Sequence, residues 1–173
     1  MDSSRFNTLW QRAGARENSE SAFAALVNHY SEPHRRYHTA RHVRDCLETY
    51  DSAVPVLGNN DAVEMALWFH DAVYIVGQTD NELCSAALFR SLSEGYLPSD
   101  FNDQVIRLIM ATRHNQAPTA ADEQFATDVD LDGLAKPWDA FISDTQLLRQ
   151  ENSATGDKAF RANVRGFFER LLA

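Results

Sequence analysis

Apolar residues recur at three- and four-residue spacing along most of the chain, the pattern of helices that bury one face. Phe6, Leu9, Trp10 and Ala13 form the first stripe, which Gly14 ends. A second starts near Ser19 with Phe23, Leu26, Val27 and Tyr30. It stops at Ser31-Glu32-Pro33, because proline disfavours helical geometry in the residue before it. A third helix is predicted from about His38 to Tyr50, with Val43, Cys46, Leu47 and Tyr50 inward, and Pro55 with Gly58-Asn59-Asn60 reads as the loop after it. The fourth carries Val63 and Leu67 and leads into His70-Asp71. The fifth covers roughly Asn81 to Ser93, and Phe101, Val105, Leu108, Ile109 and Thr112 mark a sixth that ends at His114. Asp122 to Asp132, Trp138 to Leu148 and Phe160 to Leu172 complete the set. Val73-Tyr74-Ile75-Val76 is β-like but has no partner run. The expectation is one all-α domain over residues 1–173, with Trp10, Trp68 and Trp138 in its core.

Composition narrows the function. A chain of 173 residues suits a single domain with a sizeable core. A formal net charge of -9 argues against duplex nucleic acid and anionic membranes as partners, since both require a basic footprint. No apolar run is long enough to span a bilayer, and Met1-Asp2-Ser3-Ser4-Arg5 lacks the apolar core of a signal peptide. The two cysteines, Cys46 and Cys84, sit among apolar neighbours and read as buried free thiols in a reducing cytoplasm. A homodimer is compatible with all of this.

The chemistry gathers at His70-Asp71, at the end of the apolar segment Ala66-Leu67-Trp68-Phe69. An unpaired buried carboxylate costs several kcal/mol, and a divalent cation ligated by both residues removes that cost. The plain alternative is a helix cap in which the two residues hydrogen-bond each other. His38 and His42, four apart in Tyr37-His38-Thr39-Ala40-Arg41-His42, would share one helix face and point into one cavity. His114, taken alone, suits the negative end of a helix dipole. Asp128-Val129-Asp130-Leu131-Asp132-Gly133 reads as a solvated acidic turn, or as the opening of a calcium loop. The calcium reading fits poorly, because the twelfth position is Asp139 and Lys136-Pro137 interrupts the loop.

Taken in order, His42, His70-Asp71 and Asp130 resemble the H…HD…D signature of the HD superfamily of metal-dependent phosphohydrolases. Tyr37-His38-Thr39-x-x-His42 is similar to a motif of the cyclic-nucleotide phosphodiesterases. Trp68 to Tyr74, Asp80 to Ala86 and Asp128 to Leu131 resemble a bacterial group of small predicted HD phosphohydrolases. The resemblance covers about residues 30–150 and implies a helical bundle around a central metal site. It implies His42, His70, Asp71 and Asp130 as metal ligands and His38 as the acid that protonates the leaving oxygen. Asp71 acts at the metal in catalysis as well, and Glu82 becomes a base or water-orienting group. His114, with Arg41 and Arg113, is assigned to a second metal or to the phosphate. Cyclic nucleotides are doubtful substrates, because phosphodiesterase catalytic domains are far larger.

Mixed nitrogen and oxygen donors favour Mn, Fe, Co, Ni or Zn, with Mg allowed, as one or two ions. Such an ion lowers the pKa of bound water and offsets phosphoryl charge. Arg35, Arg36, Arg41 and Arg44 make the segment from Ser31 to Asp45 locally basic in an acidic protein. The expectation is a hydrolase of a small phosphate ester or nucleotide. The alternatives are a catalytically silent metal- or nucleotide-binding module, and a di-iron oxygenase drawing extra ligands from His114, Asp128 and Glu82.

Overall fold

A computed structural model describes residues 1–172. Among them the secondary structure is entirely helical: α1 (Ser3–Arg12), α2 (Ser19–Tyr30), α3 (Ala40–Leu57), α4 (Asp61–Phe69), α5 (Asn81–Ser93), α6 (Ser99–Ala111), α7 (Ala121–Leu131), α8 (Trp138–Glu151) and α9 (Asp157–Leu171). A 3₁₀ turn (Asp132–Ala135) joins α7 to α8. No helix among the described residues is long and apolar enough to cross a membrane.

The axis of the fold is α4, in which every residue from Ala62 to Phe69 is buried. A helix apolar on all sides belongs at the centre of a bundle. It packs against α1, α3, α5, α6 and α7. Asn60 starts it, its side-chain oxygen accepting from the amides of Ala62 and Val63. Phe6 and Trp68 meet edge to face at 5.3 Å, and Phe69 meets Phe89 at 5.0 Å, locking α1 and α5 onto this core. The one buried charged residue of α4, Glu64, lies between Arg5 (2.7 Å) and Arg12 (2.8 Å) of α1.

Several expectations are corrected. The third helix continues past Tyr50 to Leu57 and contains Pro55. A proline in the last turn forfeits little of the hydrogen-bond ladder, and Gly58 (φ +84°) closes the helix through its amide to Val54 O. Val56 and Leu57 point to solvent, so the apolar period carried no trace of this turn. At the other end Thr39 is the N-cap, which leaves His38 in the preceding turn rather than on the helix. His114 lies three residues beyond α6, with φ +50°, instead of ending it. Val73–Val76 is no strand, because side chains take up its backbone groups. Ser85 bonds the amide and carbonyl of Val73, and Asn81 those of Ile75. Trp10 and Trp68 are in the core, but Trp138 is 71% exposed at the start of α8. Cys84 is half-buried rather than buried.

Candidate metal centre

Four parts of the chain converge beside the C-terminal end of α4. His42 enters from the first turn of α3, His70 and Asp71 from the end of α4, Asp130 from the last turn of α7, and His114 from the segment after α6. His42 Nε2 lies 3.0 Å from His70 Nε2 and 3.1 Å from Asp130 Oδ1. Asp71 Oδ2 lies 3.1 Å from His70 Nε2 and 3.4 Å from His42 Nε2. Donors about 2.0–2.2 Å from one ion stand roughly 3.0–3.5 Å from one another, so these separations suit a shared cation.

Hydrogen bonding prepares the donors. His70 Nδ1 lies 3.0 Å from Leu67 O. A carbonyl only accepts, so Nδ1 keeps its proton, and Nε2, which faces the carboxylates, is the nitrogen at which a second proton and a metal ion compete. Burial opposes charge on His70, but Asp71 and Asp130 outweigh it and raise its pKa well above the ordinary value. Burial likewise pushes both carboxyls up, yet the histidines, His70 foremost, hold Asp71 and Asp130 below the carboxylate range.

His42, Cys46, His70 and Asp130 also form a group that could hold a metal ion, their ligating atoms all within 4.8 Å of one another. Cys46 was read from the sequence only as a buried thiol. Its sulfur lies 3.7 Å from Nε2 and 3.8 Å from Nδ1 of His42. Equal distances place it beside the ring rather than along the Nε2 lone pair, where Asp71, Asp130 and His70 gather. Burial pushes the Cys46 thiol up, which opposes the thiolate a ligand needs. On this geometry Asp71 is the better fourth donor.

His38 stands at the rim, Nε2 3.9 Å from Asp71 Oδ2 and its ring stacked on Tyr74 at 4.0 Å. Its Nδ1 bonds Glu151 Oε1 from the last residue of α8. Glu151 Oε2 accepts from three successive amides, those of Arg36, Tyr37 and His38. Burial alone would raise its pKa, but these bonds, that to His38 first, bring it down to about 2. No sequence signal pointed to Glu151, which is 113 residues from His38.

His114 Nε2 contacts the other oxygen of Asp130 at 2.9 Å, and its ring edge meets Phe167 of α9. Glu82, half-buried in the first turn of α5, makes no hydrogen bond to the group among the described residues. Burial, then repulsion from Asp71 and Asp130, raises its pKa despite Arg113. Asp128 is exposed, and residues 128–133 are helical, which removes the calcium loop. The arginines stand apart from the donors. Arg41 bonds Asp144, Arg113 bonds Thr79 O, Arg36 bonds Pro33 O, and Arg44 lies on the surface near Asp45 and Glu48. Arg35 is buried as a clamp on His38 O, Asp71 O, Ala72 O and Glu32.

Comparison of the chain with family models, curated proteins and solved structures finds no match. What stands without one is a helical protein whose core encloses a histidine–carboxylate group able to hold a metal ion.

Proposed function

We propose that the protein is a metal-dependent phosphohydrolase of a small phosphate ester or nucleotide, with His42, His70, Asp71 and Asp130 as the metal ligands. One observation carries this reading: His70 Nε2, left as the ligating nitrogen by the bond of Nδ1 to Leu67 O, faces His42 Nε2 at 3.0 Å and two carboxylates. The order of these residues, which resembles the HD signature, supports it. When bound, a divalent ion supplies Lewis acidity toward a phosphoryl oxygen and lowers the pKa of water. His38 Nε2, at the rim, is the nitrogen that takes up a second ring proton and passes it to the leaving oxygen. Glu82, with its raised pKa, orients water from the α5 side. Of the two arginines, Arg113 is the better candidate for phosphate charge, because Arg41 is bound to Asp144.

A second reading rests on Cys46. If its thiolate replaced Asp71, four protein donors from Cys46, His42, His70 and Asp130 would close a tetrahedral zinc site, leaving no position for water and hence no turnover. Metal analysis of the purified protein and of Cys46→Ser, with a phosphate-ester panel in Mn, Co, Ni, Mg and Zn, separates the two. Metal retained in Cys46→Ser with metal-dependent phosphate release supports the hydrolase. Zinc lost in Cys46→Ser with no release from any ester supports the structural site. Bound iron with oxygen consumption would favour the di-iron oxygenase, and a folded protein that binds no metal overturns every metal reading.

A further inference from the structure

We propose that Glu151 is a positioning residue that fixes the tautomer of His38, confining proton exchange by that ring to Nε2, the nitrogen facing the metal group. The inference deepens the hydrolase reading and rests on it for its catalytic consequence; its structural content stands apart. A carboxylate only accepts, so the contact between Glu151 Oε1 and His38 Nδ1 requires the proton on Nδ1. The second oxygen, Oε2, is saturated by the amides of Arg36, Tyr37 and His38 at 2.6, 2.9 and 3.1 Å, so the carboxylate cannot turn away. The rest of the turn is held independently. Arg35 Nη1 donates to His38 O at 3.0 Å and to Asp71 O at 2.7 Å, tying the turn to the end of α4. Tyr74 stacks on the imidazole at 4.0 Å and blocks rotation of the ring. Glu151 is buried and His38 is only partly exposed, so water does not compete freely for Nδ1.

The shape of this contact gives a clean test. In Glu151→Gln the three amides require an oxygen at the Oε2 position. That places the amide NH₂ opposite His38 Nδ1, which must then accept, and the ring proton moves to Nε2. The readout is the ¹⁵N spectrum of histidine rings in the zinc-loaded full chain, with His38 assigned by its loss in His38→Gln. In its neutral form the wild-type ring is expected to show a protonated Nδ1 and a bare Nε2, and Glu151→Gln the reverse, with metal content unchanged. On the hydrolase reading kcat falls about 100-fold in Glu151→Gln while KM changes little. A wild-type neutral His38 protonated at Nε2 with a bare Nδ1, or a tautomer unmoved by Glu151→Gln, overturns the proposal. Metal lost in His38→Gln also overturns it, since His38 would then be a ligand. Absence of turnover in every metal, with the tautomer shift intact, would count against the hydrolase reading alone.

Discussion

Asp130 divides its carboxylate between two histidine groups. Oδ1 faces His42 and His70, at 3.1 and 3.3 Å, while Oδ2 meets His114 at 2.9 Å. The last turn of α7 therefore joins the end of α4, the start of α3 and the segment after α6 through one side chain. Asp130→Asn keeps the shape but removes the charge, and metal affinity should fall by more than the roughly 10–100-fold typical of groups that only support ligands. Titration with zinc and cobalt, and metal content after dialysis, measure it. Unchanged affinity would remove Asp130 from the ligand set.

Metal binding should release protons. His70 has its pKa raised by Asp71 and Asp130 despite burial, so at neutral pH an ion must displace a proton from it. Affinity is then expected to fall as the pH drops, because protonation of His70 competes with the ion. Calorimetry in buffers of different ionisation enthalpy counts the protons. Binding without release at pH 7 would show that His70 is already neutral.

Arg35 is fully enclosed and offers its guanidinium to Glu32, His38 O, Asp71 O and Ala72 O. Arg35→Met would leave three carbonyls without this donor and should cost about 3–5 kcal/mol. Urea unfolding measures the loss. A change under about 1 kcal/mol would mean that water replaces the guanidinium without strain.

The acid limb of stability should carry the mark of Glu151. Its pKa falls from 4.5 to about 2 on folding, against the effect of burial, because His38 and the amides hold the anion. Its contribution is therefore complete above pH 4.5 and is lost as the pH falls toward 2. Glu151→Gln should flatten the fall of thermal midpoint across that window. An identical acid limb in the two proteins would show that the carboxylate gains nothing from its partners.

The helices were legible because burial of one face writes a period into the sequence, and α5 starts and ends where its apolar pattern and acidic first turn place it. The period failed where burial and helicity part company. Val56 and Leu57 are helical but exposed, and Trp138 is large, apolar and open to water. His38 was placed on a helix by its spacing to His42, yet Thr39 starts that helix, and His38 reaches the same rim from a turn.

By itself the sequence determined the all-helical fold and marked His70 and Asp71 as unusual for their surroundings, since a charge at the end of an apolar segment demands a partner; His42 and Asp130 joined them only through the resemblance to the HD signature. It could not show that Glu151 reaches across 113 residues to His38, nor that Arg35 clamps a turn rather than greeting a phosphate. Cys46, at helical spacing from His42, looked like any core thiol. Those relations belong to the tertiary structure, because a hydrogen bond depends on the direction of two side chains in space, and distant chain positions carry no periodic trace of it.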